Sequence, residues 1–267
     1  MKKLLLFFLP IWIFSLEIQP WFGDVYEFHF LGGYAYSRFR KVEGAVDQLT
    51  SAFNSNVLFT GLDFSFSPEW SADIDLQLAD TTEQSFGFRT VGGQVRYLWM
   101  DDIIGDPISL ATGANARFVS SNSLRDVSCP YHGNVDVEFN LSLGKEFDAF
   151  QFWRYRLWGF GVVGIANRGS PWIRGGAFIE ANLDDIHKFA IFLLGSHGYG
   201  RQTSININDF FGYAKIRQKS IDIGARYGYR MGVWGTLRFE YIRRVKARLC
   251  PENVNNFIIS YLVPFSF

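Results

Sequence analysis

Charged side chains in this 267-residue chain recur at alternate positions, each flanked by apolar neighbours. Glu27, Asp63, Asp73 and Asp75 come first. Arg96, Arg117, Arg154 and Arg156 follow, interrupted by Asp136 and Glu138. Arg174 with Glu180, Asp222 with Arg226, and Arg238 with Glu240 complete the series. Every base in it is arginine, whose guanidinium never loses its charge and offers five donors in a rigid fork. Gathered on one surface, such groups do one of two things. They pair across a narrow dry space and plug it, because buried charges must be partnered. Or an acidic wall faces a basic wall across water, where side-chain charges select among polar solutes.

Other chemistry finds less support. The histidines are His29, His132, His187 and His197. Ser196 and His197 adjoin, but neighbours on a strand point to opposite faces. There is no Gly-x-Ser-x-Gly elbow, His-Glu-x-x-His or phosphate-cradling loop; Gly159-Phe-Gly161 reads as strand glycines. No cofactor or metal is expected. A hydrolase acting on lipid remains a minor alternative, requiring an inward histidine within ~3 Å of a serine or carboxylate at the lipid rim. Lys plus Arg and Asp plus Glu are both 26, so net charge is zero and a nucleic-acid partner is not expected.

The elements that must position these charges are strands. Aromatics make up 18% of the chain, with 28 Phe, 12 Tyr and 8 Trp. Twelve segments read as strands: ten alternate apolar and polar residues, 152–166 is apolar on both faces apart from Arg154 and Arg156, and 188–197 is apolar without a clear phase. Short connectors near 67–69, 100–106, 148–151, 184–187 and 230–232 interleave with a mostly longer set at 39–54, 80–85, 121–133, 167–171, 199–212 and 247–253. Short turns on one side and long loops on the other describe a membrane barrel, with both termini on the short-turn side. A soluble β-sandwich also alternates, but several segments here approach the ~9–11 residues of a tilted membrane strand. A charge facing lipid at mid-depth costs about 2–4 kcal/mol. The charged parity is therefore expected inward and the aromatic parity outward. Trp70, Trp99, Trp153 and Trp234 all lie beside short turns, where a headgroup-level girdle belongs.

Met1-Lys2-Lys3 followed by an apolar run to Phe14 reads as a signal peptide, residues 1–16, leaving 17–267 as the barrel domain. Cys129 and Cys250 fall in two of the long loops. Export permits a disulfide between them, which would have to cross the mouth; two free thiols are the alternative.

The tail carries a family resemblance. Tyr261, Val263, Phe265 and Phe267 alternate and end the chain on Phe. This resembles the C-terminal signature of Gram-negative outer-membrane β-barrel proteins. The resemblance implies an outer-membrane location and recognition of these four residues by the barrel-assembly machinery. Pro264 departs from the pattern and lacks a ladder donor. The chain is thus expected to be all-β, a transmembrane antiparallel up-and-down barrel of about twelve strands bathed in membrane lipid. The expected function is a pore for small polar or charged solutes. A structural or adhesive barrel with a plugged lumen is the alternative, ahead of the lipid-modifying enzyme.

Overall fold

The computed structural model describes residues 18–47, 49, 51–150 and 152–266. The segment expected to be a signal peptide, residues 1–16, and Phe267 lie outside them. Twelve long strands form the wall: β1 Phe28–Phe39, β2 Phe53–Ser65, β3 Trp70–Thr81, β4 Gly87–Met100, β5 Ser109–Val119, β6 Val135–Phe150, β7 Trp153–Ala166, β8 Trp172–Leu183, β9 His187–Gly198, β10 Lys219–Arg230, β11 Thr236–Arg248 and β12 Asn255–Phe265. Each pairs antiparallel with its sequence neighbours, and β12 closes the ring on β1. All twelve expected strands are present, and the connectors alternate as expected. Closure leaves no unpaired strand edge, the condition for crossing hydrocarbon without orphaned backbone groups.

The alternation sorts the side chains as the energy argument requires. Phe30, Ile74, Val95, Phe139, Leu157, Ile179, Ile191, Ile223 and Phe257 stand exposed on the outer surface. Asp75, Gln94, Arg96, Arg117, Asn140 and Glu180 are buried inside. Near the short turns Trp70, Tyr97 and Trp99 pack edge to face, with centroids 4.9 and 4.7 Å apart, and Trp234 is also exposed. Pro264 does not interrupt closure. Its missing donor lies beyond the β11 ladder, which stops at Thr236 opposite Leu262, while pairing with β1 continues to Phe28 opposite Phe265.

The long loops interlock into a cap. A two-residue ribbon joins Lys41–Val42 to Pro251–Glu252. The 120–134 loop opens with a one-turn helix, α1 Ser121–Leu124, capped by the Ser120 hydroxyl, which accepts from the Ser123 N–H at 3.1 Å. It docks on the 199–218 loop: Gly212 N–H donates to Leu124 O, Tyr213 N–H to Tyr131 O, and the buried Tyr213 hydroxyl to Val127 O at 2.7 Å. Phe39, Val42, Phe53, Ile205, Phe210, Leu249 and Val254 supply an apolar core under this cap. Gly212 has φ +74°, and a Cβ there would sit 2.7 Å from His132 O. A branched residue meets both strain and a backbone clash.

The cysteines do not bridge. Both are buried free thiols, Cys129 packed with Leu124 and Tyr131, Cys250 with Val42 and Leu249. Burial raises both pKa values, that of Cys129 to about 11, so each behaves as a small apolar group.

Gly212→Val is expected to open the cap while the barrel stays folded. Trypsin cleavage after Lys215 and Arg217 should accelerate at least about tenfold, and the folded barrel's heat-modifiable gel mobility should persist.

Candidate functional site

The inward charges form ion pairs laid along the wall. Arg117 on β5 grips Asp75 on β3 with both amino nitrogens, at 2.8 and 2.6 Å. The strand between them contributes Gly92, in register with both; a Cβ there would lie 2.8 Å from each partner. Arg174 on β8 reaches Glu138 on β6 the same way, at 2.9 and 2.7 Å, with the Trp172 ring N–H donating to the same carboxylate. Arg226 holds Glu240 at 2.5 Å, and Arg156 holds Glu146 at 2.5 Å. Arg154 meets Asp185 and Glu146 near the short-turn rim. Arg96 lies between Asp63 and Asp73 at 3.7 and 3.6 Å, and Asp63 also faces His29, which contacts Glu27 at 3.0 Å. Asp136 serves the loop instead, accepting the His132 and Gly133 N–H groups. Arg238 faces inward beside Gly228.

The two arrangements raised by the sequence, pairing across the lumen and opposed charged walls, are both corrected by this geometry. Partners sit on adjacent or next-nearest strands, so charges are matched locally and the middle of the lumen stays clear of the bridges themselves.

Three features escaped the sequence reading. Arg244 pairs with Asp222 at 2.7 and 3.0 Å. It lies on the same parity as Arg238 and Glu240, in unbroken register opposite Asp222; the register shift comes just beyond it and turns Lys246 outward beside Ile221. Second, β7 to β12 carry an inner apolar wall: Trp158 stacks on Phe178 at 4.7 Å and Phe178 on Phe192 at 4.9 Å, beside Phe160, Leu194 and Ile242. Segments apolar on both faces were its only sequence signal. Third, the chain before β1 enters the lumen. Trp21 packs edge-on against Trp158 and donates its ring N–H to Asp102 at 2.8 Å. Arg156 covers Trp21 at 4.7 Å, Arg96 covers Phe22 at 4.8 Å, and Arg96 also donates to Gln19 O. Burial opposes ionisation of Asp102, but hydrogen bonds from Glu146 N–H, the Ser109 hydroxyl and Trp21 outweigh it and lower its pKa.

A cavity of about 190 Å³ remains between these plugs. Ile18 bounds one end, and Tyr131, His132 and Tyr213 bound the other. Arg117, Arg174, Arg226 and Arg244 line it together with Phe160 and Phe178. Gln94 Nε2, Asn115 Oδ1 and Asn256 Oδ1 are buried in the lumen wall with no protein partner among the described residues. Such groups are ordinarily satisfied by water.

Among the described residues none of the four histidines hydrogen-bonds to a serine; His29 meets the carboxylates of Glu27 and Asp63. His132 stacks on Trp172 at 3.7 Å and contacts Gln218; His187 contacts the Tyr227 hydroxyl; His197 contacts Gln218 O.

No protein-family model matches this chain, and no curated protein does. Solved structures do match. The COG4313 outer membrane channel from Pseudomonas putida F1 superposes with TM-score 0.59 at 12% identity, over 94% of this chain and all of that one. The NanC porin gives TM-score 0.55 at 12% identity, over 88% of this chain and 98% of that one. The fold is therefore that of the outer-membrane β-barrel proteins, with twelve strands in an up-and-down ring.

Two outcomes follow from the site. Asp75→Ala strands a buried guanidinium and should cost about 3–5 kcal/mol in urea unfolding from lipid vesicles; adding Arg117→Met should recover most of the loss. His132, in the cap, has its pKa pushed down to about 3, first by burial and then by Arg174, against the pull of Glu138. Its neutral form is favoured by folding, so its contribution is complete above pH ~6.5 and falls as pH drops toward 3. Between pH 6.5 and 5 the cap should lose about 2 kcal/mol of stability from this group. The measurement is the difference in cap proteolysis between the native protein and His132→Gln across that range.

Proposed function

We propose that the protein is an outer-membrane channel of narrow bore for small polar or charged solutes, constricted by its own chain at both mouths. The observation that carries this reading is the cavity between the two plugs, lined by locally matched charges and by unpartnered amide groups. Charges neutralised along the wall leave a polar path that neither repels nor traps an ion strongly, which conduction requires. Twelve strands lie between the roughly eight whose interior side chains fill and the sixteen that leave a wide channel. The resemblance of the fold to solved proteins described as an outer membrane channel and a porin supports the same reading. In this reading the inward carboxylates and arginines are the solute-facing groups. Tyr261, Val263, Phe265 and Phe267 are the segment offered to the assembly machinery, and the N-terminal apolar run directs export.

A second reading, the plugged barrel, is favoured by one specific observation: the segment from Ile18 to Phe22 is held inside by two cation–π contacts and the Trp21–Asp102 hydrogen bond. Planar-bilayer recording separates the two. The native protein should show small conductance steps, and Trp21→Ala with Asp102→Ala should enlarge them several-fold. Silence of both proteins at every voltage defeats the channel and leaves the plug. A change in ion preference in Arg174→Gln with Arg226→Gln assigns selectivity to these arginines.

A further inference from the structure

The outer surface gathers a cluster of charge at its loop end. Paired residues on antiparallel neighbours point to the same face. Lys219 is in register with Arg248, Ile221 with Lys246, and Ile223 with Arg243; Arg243 and Arg38 both pair with Asn255. Ile221 and Ile223 are exposed outward. Lys219, Arg243, Lys246, Arg248 and Arg38 therefore project from the outside of β10, β11 and β1, at the loop end, and all five are exposed. None of them pairs with a carboxylate among the described residues. Two positions nearer the middle of the barrel, Tyr241, Phe257 and Tyr36 form a ring cluster with centroids 5.0 and 6.2 Å apart. The cations thus begin roughly 7 Å beyond an aromatic girdle, at headgroup depth.

Beside them the wall is hollow. Gly161, Gly175 and Gly195 face outward in one register row across β7, β8 and β9, and the row continues through Ile221 to Lys246. A Cβ at Gly161 would meet nothing within 4 Å, and one at Gly195 only Ser220 O at 3.9 Å. Packing inside the protein does not call for glycine at either position. Gly175 and Gly195 floor a shallow groove bounded by Ile173 and Ile221 that opens onto His197, Lys219 and Lys246, and Gly161 continues the side-chain-free row beyond it. With strands ~4.8 Å apart it runs for roughly 14 Å.

We infer that this face binds a phosphate-bearing lipid of the outer leaflet, its phosphate on the cation cluster and an acyl chain in the glycine groove. Charge complementarity selects the anion: five unpaired cations at a lipid-facing surface are costly without a counter-charge, and phosphate accepts the arginine fork. The adjoining apolar groove selects a lipid over a free ion. The inference rests on the membrane placement proposed above.

The test uses purified full-length protein in detergent, with native mass spectrometry against three probes: bis-phosphorylated lipid A, its dephosphorylated form, and inorganic pyrophosphate. Phosphorylated lipid is expected to bind at least tenfold more tightly than the dephosphorylated form. The R243Q/K246Q/R248Q variant should lose that advantage, and G161L/G195L should bind several-fold more weakly. Heat-modifiable mobility confirms that both variants are folded. Equal binding of the two lipids, native-like binding by a folded charge variant, or full displacement by pyrophosphate overturns the inference. A protein that stays monodisperse without detergent overturns the membrane placement instead.

Discussion

An ionised group facing hydrocarbon near the middle of a bilayer costs about 2–4 kcal/mol, and strand side chains point alternately to two faces. Together these constraints organise the molecule. With Asp73, Asp75, Arg96 and Arg117 on one parity and Ile74, Leu76, Val95 and Phe118 on the other, only a closed wall with polar contents satisfies both faces. A sheet with edges would expose backbone to lipid. An inverted barrel would place phenylalanines in water and guanidiniums in oil.

Enclosing so many charges creates a second requirement, which the wall meets locally. Each bridge spans one or two strand spacings. Beneath the bridge from Arg117 to Asp75 the wall carries Gly92, where any larger side chain would occupy the space of the bridge. The matched charges then tolerate an apolar patch and two inserted plugs. Trp21 finds aromatic partners on the wall and Asp102 at its rim, and Arg156, already paired with Glu146, still offers the face of its guanidinium to the indole.

The ring was legible in the sequence because alternation over ten or more residues is a one-dimensional signal. Strand number, facing and the alternation of short and long connectors all derive from it. What the sequence left unseen has no such period. Lys246 faces outward because of a single register shift just past Arg244. Trp158 and Phe192 sit on strands apolar on both faces, where parity carries no information, and Phe178 is a lone apolar residue on the charged parity of the strand between them. The segment around Trp21 is a short stretch whose only cue is one aromatic amid Pro and Gly, and its partners lie some eighty positions away or more. The two cysteines invited a covalent bridge by type and compartment, but each is absorbed into a different apolar cluster of the cap.

The cap also dictates an order of events. Leu249 donates to Glu43 across 206 positions, and Tyr213 reaches Val127 across 86. Contacts so distant along the chain carry a large closure entropy until the intervening strands have zipped. The Glu43–Leu249 contact and the ribbon beside it join the loops flanking β1 and β12, the pair that seals the ring. The lid therefore cannot knit before the cylinder does. For an interval during biogenesis the molecule stands as an uncovered tube, and its final transition is the settling of the outer loops over a finished wall.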